Sequence, residues 1–146
     1  MDHFVYADHA ATTKIRPEVL EAMMPFLTEH YGNPSSMYEM SDVTEMAILD
    51  ARRTVAELIG AKPNEIIFTS CGSESDNMAL WGILRKKKGH LITTKIEHHA
   101  VLHTAEALEK EGYAVTYLDV DKDGLVAPEA LEAAIRPDTT LISIMT

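Results

Sequence analysis

From residue 65 onward the chain alternates short apolar runs with stretches of helical periodicity, and this alternation constrains its fold more than any other feature. Glu65–Thr69 reads as a strand, followed by a helical pattern over Ser73–Lys88. Leu91–Lys95 leads to a helix over Ala100–Glu111, Ala114–Asp119 to one over Pro128–Ile135, and Thr140–Met145 reads as a last strand. Strands and helices of these lengths in strict alternation give a mainly parallel sheet, because parallel neighbours need a crossover and a helix supplies it. Ligands of such sheets gather at the C-terminal ends of the strands. The segment Leu141-Ile142-Ser143-Ile144-Met145 is apolar on both faces, as expected of a strand in the middle of a sheet. A sheet that stopped there would expose an edge and an apolar face, so the chain reads as the N-terminal part of something larger.

The first 64 residues follow a different pattern. A helix is expected from Arg16-Pro17, with proline in its favoured first turn and Val19, Leu20, Met23, Met24 and Phe26-Leu27 along it. Gly32-Asn33-Pro34-Ser35-Ser36 forms a loop. A long helix then runs from about Met37 to Ile59, with an apolar stripe of Met46, Leu49, Val55 and Leu58-Ile59, and Gly60 closes it. The expected division is an N-terminal arm and helix over 1–36 and a cofactor-binding domain portion over 37–146.

The composition excludes several function classes. A formal net charge of −10 over 146 residues argues against a nucleic-acid partner, which needs a basic face. The basic run Arg85-Lys86-Lys87-Lys88 reads as a solvated helix end, favoured by the helix dipole and stopped by Gly89. No apolar run approaches the roughly 18–20 residues that span a bilayer, and no signal-peptide core follows the N-terminus. A single cysteine excludes an internal disulfide. These features give a cytoplasmic expectation, with no membrane partner.

The candidate site begins at Thr69-Ser70-Cys71-Gly72-Ser73-Glu74-Ser75-Asp76-Asn77, a small polar loop opening a helix. The first amides of a helix have no internal partner and the dipole is positive there, so the loop attracts a phosphate. Ser73 is the expected N-cap, with Asp76 at the third helical position. Ile96-Glu97-His98-His99-Ala100 follows the next strand, and a histidine there can cover an aromatic ligand or move a proton near neutral pH. His99 and His103 lie four apart on one helical face with Glu97 or His98 nearby, but spacing fixes no third ligand, and no metal is assigned. Cys71 sits at a strand-to-helix turn that stabilises a thiolate, or fills a tight loop. Asp119-Val120-Asp121-Lys122-Asp123-Gly124 starts like an EF-hand loop, yet the twelfth position is Ala130 where a glutamate is needed, so it reads as a polar turn.

Taken in order, several segments resemble the N-terminal part of the cysteine desulfurases, a class V branch of the fold-type I pyridoxal-phosphate enzymes. They are Tyr6-Ala7-Asp8-His9-Ala10-Ala11-Thr12-Thr13, Gly32-Asn33-Pro34-Ser35-Ser36, Ala51-Arg52-Arg53 through Ile59-Gly60-Ala61, Ile67-Phe68-Thr69-Ser70 through Glu74-Ser75, Ile96-Glu97-His98-His99-Ala100-Val101-Leu102 and Ser143-Ile144-Met145. The resemblance implies part of a three-layer α/β/α large domain preceded by an N-terminal helical segment. It implies pyridoxal 5′-phosphate as cofactor, with Gly72 and Ser73 on its phosphate and His98 stacked on its ring and moving protons. His9, Ala10 and Ala11 match a loop near the substrate pocket. The implied reaction converts L-cysteine to L-alanine and passes sulfur, as an enzyme persulfide, toward an acceptor or scaffold protein in iron–sulfur cluster assembly, in a homodimer. Selenocysteine lyases and other class V enzymes share parts of the pattern.

Cys71 replaces a usual glycine, and Tyr38 stands where a histidine is common. The family's cofactor-binding lysine, pyridine-nitrogen aspartate and persulfide cysteine match no residue of these 146, and Lys95 and Cys71 are not substitutes for them. The chain alone is therefore expected to be inactive. The other reading is a non-enzymatic module that keeps the phosphate loop or complements a longer subunit.

Overall fold

A computed structural model describes residues 5–145, which divide into two compact units, one up to Ile67 and one from Phe68 onward.

The first unit contains helices α1 (Pro17–Thr28) and α2 (Glu39–Ile59) and a 3-10 turn, Pro63–Glu65. Pro17 occupies the first turn of α1, as expected. Gly60 ends α2 in the left-handed conformation, φ 68°, where a side chain would be strained. The Gly32–Ser36 loop lies tight against the start of α2: a Cβ on Gly32 would sit 2.7 Å from the Met40 carbonyl oxygen. The Thr44 hydroxyl donates to the carbonyls of Gly32 and Ser41, both at 2.8 Å, and both Ser41 and Thr44 are buried. The expected apolar stripe of α2 is not a buried seam within this unit: Leu58 and Ile59 are 81% and 67% exposed. An apolar stripe is covered only where a partner surface lies against it.

The second unit is a three-stranded parallel sheet with its crossover helices. Its elements are α3 (Gly72–Lys86), β1 (His90–Thr94), α4 (His99–Lys110), β2 (Ala114–Leu118), α5 (Pro128–Ala134) and β3 (Thr139–Ile142), in the sheet order β2-β1-β3. β1 pairs with β2 from His90↔Ala114 to Thr94↔Leu118. Its pairing with β3 shifts register between His90↔Thr139 and Leu91↔Leu141, leaving Thr140 as the extra residue of a bulge. The core joins one face of the sheet to α3 and α4 through Leu80, Leu84, Leu91, Val101, Ala105 and Leu108, with Trp81, Tyr113 and Leu141 at its margin.

Three sequence expectations are corrected here. Residues 65–69 do not form a strand: Glu65 belongs to the 3-10 turn, and the following residues, including the extended Ile66, join no ladder among the described residues. A β-propensity run becomes a strand only when a neighbour pairs with it, and Ile67 and Phe68 remain 64% and 50% exposed. The central strand is β1, buried along its whole length, whereas β3 lies at an edge with Ile142 exposed. Gly89 is not a helix stop, since α3 ends at Lys86 with Lys87 extended behind it. Gly89 instead allows close approach, because a Cβ there would lie 2.1 Å from the Thr140 Oγ1 and 2.6 Å from the Asp138 carbonyl oxygen.

Every strand position of β1 is buried, and a buried polar side chain is costly without a partner. Among the described residues the Thr93 hydroxyl has none, whereas the Thr94 hydroxyl donates to Glu97. His90 is paired through both ring nitrogens, Nδ1 to the Thr139 hydroxyl at 2.9 Å and Nε2 to the Thr116 hydroxyl at 2.8 Å, so one imidazole ties all three strands together. Burial foremost, then the nearby Arg136 charge, holds the His90 pKa below its usual value, with Asp138 acting against them.

Candidate functional site

The site is built where α3 begins and β1 gives way to α4. The polar loop before α3 is stitched to the first helical turn. The Glu74 carboxylate accepts from the Ser70 amide at 2.6 Å and from the Ser70 hydroxyl at 2.7 Å. The Thr69 and Ser75 hydroxyls meet at 2.7 Å, and each is also 3.2 Å from the Cys71 carbonyl oxygen. These bonds close the entry to the helix much as a capping box does, one residue earlier than the usual register. The Ser73 hydroxyl takes part in none of them.

The N-cap is therefore Cys71, extended at φ −166° and ψ 170°, and not Ser73 as expected. Ser73 falls inside the first turn because the Ser70–Glu74 pair starts the helix early. The Cys71 sulfur makes no capping bond of ordinary geometry, but the Glu74 amide foremost and the Ser70 hydroxyl next lower its pKa below that of a free thiol. Gly72 opens α3, and a Cβ there would meet nothing within 4 Å, so the side of the first turn at Gly72 is open.

On the neighbouring element, His98 is the N-cap of α4, and its Nδ1 accepts the Ala100 amide at 3.1 Å. A ring nitrogen that accepts carries no proton, so the neutral ring holds its proton on Nε2. Ser73 and His98 line one open cleft of about 460 Å³, together with Asn77, Trp81, His99 and His103. The cleft runs between α3 and α4, and His98 in its lining stands four residues beyond the end of β1, on the side of the sheet where ligands of parallel sheets bind.

Asn77 links the two helices at this cleft, a role that its place at the end of the Thr69–Asn77 segment did not reveal. Its amide nitrogen donates to the Ser73 carbonyl at 2.8 Å and its oxygen accepts from the Thr104 hydroxyl at 2.7 Å, while Thr104 also donates to the Ala100 carbonyl. An amide four residues after Ser73 and a hydroxyl four residues after Ala100 were the available signal, legible only once the helices are known to be neighbours.

The remaining candidates lie as follows. His9, Ala10 and Ala11 are in the first unit, in an exposed turn where the Ala11 amide donates to the Asp8 carbonyl at 3.2 Å and His9 stacks on Tyr6 with ring centroids 5.6 Å apart. The rings of His99 and His103 are 5.0 Å apart, but among the described residues no group of three or more His, Cys, Asp or Glu is placed to hold a metal. Lys95 is engaged by Asp119 at 2.6 Å. The Asp119–Gly124 segment is a polar turn, with the Asp121 carboxylate accepting the amides of Asp123 and Leu125 at 2.9 Å.

The residues present suit the phosphate end of pyridoxal phosphate. The α3 first turn offers amides, a Ser73 hydroxyl with no partner among the described residues and an open side at Gly72, and His98 presents a ring on the same cleft as Ser73.

Comparison with known proteins gives the family. Residues 5–146 match the family model described as aminotransferase class-V. The chain is 57% identical to a cysteine desulfurase IscS of Clostridium botulinum (strain Kyoto / Type A2), covering 99% of this chain and 37% of that protein. It is 56% identical to a cysteine desulfurase IscS of Methanosarcina thermophila, over 97% of this chain and 36% of that one. Among solved structures it resembles a NifS-like protein with a TM-score of 0.89 at 43% identity, covering 94% of this chain and 39% of that chain. It also resembles SspA in complex with cysteine, with a TM-score of 0.90 at 44% identity, over 95% and 41%. The chain thus spans little more than a third of the length of these relatives.

Proposed function

The chain belongs to the class-V aminotransferase family, with cysteine desulfurases as its close relatives, and from that premise we propose that it forms the N-terminal part of a pyridoxal-phosphate-dependent cysteine desulfurase. The observation that carries the proposal is the cleft between α3 and α4 that Ser73 and His98 share. In this reading the amides of Gly72 and Ser73 and the Ser73 hydroxyl bind the cofactor phosphate, and His98 covers the ring. Bound pyridoxal phosphate supplies an electron sink for bonds broken at the substrate α-carbon. The chain's own contribution is to orient and to move a proton. With Nδ1 committed to the Ala100 amide, His98 gives and takes its proton at Nε2. Asn77 keeps the two walls of the cleft in register.

The substrate is L-cysteine, the products are L-alanine and sulfur passed on as a persulfide to an acceptor or scaffold protein, and the assembled enzyme is a cytoplasmic homodimer. The substrate-proximal residues are His9, Ala10 and Ala11, and a selenocysteine lyase is the nearest alternative within the family. The 146 residues alone are inactive, since they carry no lysine in the family's cofactor-binding motif.

The test is complementation. The chain is mixed with the separately produced remainder of a cysteine desulfurase relative and assayed, with an added dithiol that reduces the persulfide, for alanine and sulfide from L-cysteine. Activity is expected only in the mixture. It should fall by roughly 10²–10⁴ with His98→Ala, the range for loss of a general acid–base group. Full activity of the His98→Ala mixture, or sulfide release by the 146-residue chain alone, would contradict the proposal.

A further inference from the structure

We infer that Glu97 is the positioning residue for His98. It fixes the histidine loop to the sheet and couples that loop to the segment following β3. This inference rests on the reading of His98 as the ring-covering residue.

Glu97 is a long carboxylic side chain that is only 7% exposed, next to a residue that must face an open cleft. Burying such a side chain requires partners. Its Oε1 has two: the Thr94 hydroxyl donates at 3.0 Å and the Met145 amide at 2.9 Å. Thr94 is the last residue of β1, so the first bond closes the loop on its own strand. Met145 lies three residues beyond the end of β3, so the second bond reaches across to the neighbouring strand's exit. One oxygen therefore gathers the C-terminal ends of two adjacent strands and sets the backbone that enters α4.

The consequence falls on the next residue. His98 caps α4 through Nδ1, a bond that exists only while its backbone stays extended at φ −57° and ψ 144° ahead of the helix. Two restraints act in series. Glu97 holds the loop, and the cap holds the ring and its tautomer. Without Glu97 the loop is tied by neither bond, and the cap competes with other ring orientations. Glutamine keeps an Oε1 that accepts both bonds, and alanine keeps neither.

The test uses the whole 146-residue chain and needs neither cofactor nor activity, so its failure is distinct from failure of the proposed function. Imidazole ¹⁵N spectra at pH 8 report the His98 tautomer, and amide hydrogen exchange reports Met145. In the unaltered chain we expect an unprotonated Nδ1, a protonated Nε2 and a protected Met145 amide. Glu97→Ala should move the His98 signals toward a tautomer mixture and speed Met145 exchange at least 10-fold, and Glu97→Gln should restore most of both. Thr94→Val, which removes one bond only, should leave Met145 protected while broadening His98. If Glu97→Ala does not fold, the Glu97→Gln and Thr94→Val pair carries the decision. An unchanged His98 tautomer in Glu97→Ala, or His98 in Thr94→Val indistinguishable from the unaltered chain, would overturn the inference.

Discussion

Gly89→Ala tests whether the edge of the sheet is closed as described. The added Cβ would lie 2.6 Å from the Asp138 carbonyl oxygen, a backbone atom, and 2.1 Å from the Thr140 Oγ1. Thr140 can turn its hydroxyl away, giving up its 3.2 Å bond to that same carbonyl. The carbonyl cannot turn. It must retreat by roughly 0.5–1 Å to reach ordinary contact distance, and it is the acceptor of the His90 amide at 2.9 Å. Stretching that bond forfeits about 1 kcal/mol, within the ~1–3 kcal/mol typical of overpacking. Restricting the unfolded chain returns about 0.4–1 kcal/mol, so a net loss of roughly 1–2 kcal/mol is expected. The assay is urea unfolding, where such a loss lowers the midpoint by about 1 M for a slope of 1–2 kcal/mol per M. Gly82→Ala is the control: it lies inside α3, and its Cβ would meet nothing within 4 Å. There alanine should stabilise by about 0.5–1 kcal/mol through helix propensity. A Gly89→Ala midpoint equal to or above that of the unaltered chain, with Gly82→Ala behaving as expected, would refute the close approach of Gly89 to β3.

His90 gives a pH dependence of known sign. Its folded-state pKa is lowered, so the folded chain binds fewer protons; its contribution is complete above the ordinary histidine value and is lost as pH falls below it. The urea midpoint should therefore fall more between pH 7 and pH 5 in the unaltered chain than in His90→Gln, and equal falls would count against it. Cys71 is exposed with a lowered pKa, so its alkylation by iodoacetamide should reach half its maximum rate at a pH below that of a free thiol. Ser70→Ala should move that profile upward, and a profile at or above the free-thiol value would contradict the loop geometry. Asn77→Ala should loosen α3 from α4 at a cost of roughly 0.5–1.5 kcal/mol, the worth of the lost bond between the helices, because the Thr104 hydroxyl keeps the Ala100 carbonyl as acceptor; an unchanged melting temperature would show that Asn77 is not the link.

Much of this was legible in the sequence because it depends on local pattern. The parallel sheet follows from the alternation of apolar runs and helical periods after residue 89, and every strand and helix from His90 to Ile142 begins within a residue of its expected place. Gly60 and Pro17 mark helix ends for backbone reasons that act at a single position. Neighbour-dependent features were not legible. Ile66-Ile67-Phe68 has the composition of a strand, but pairing is not encoded in the run itself. The burial of β1 contradicts its polarity: His90 looks like a surface residue until the hydroxyls of two other strands are placed beside it, Thr94 until Glu97 is, and nothing in the structure explains the buried Thr93 hydroxyl. The site divides the same way. Gly72, Ser73 and His98 stand out as loop residues at strand and helix ends, whereas Asn77, Thr104 and Glu97 act across elements and read locally as ordinary helix or loop polarity.

The most direct measurement is amide and imidazole chemical-shift mapping of the 146-residue chain titrated with pyridoxine 5′-phosphate, an analogue without the aldehyde that would react with any lysine. We expect saturable shifts centred on the amides of Gly72 and Ser73 and on the His98 ring, reproduced in part by inorganic phosphate at the amides alone and abolished at the amides by Ser73→Asp. Shifts confined to other residues, or none at millimolar ligand, would contradict the assignment of this cleft as the phosphate end of a pyridoxal-phosphate site.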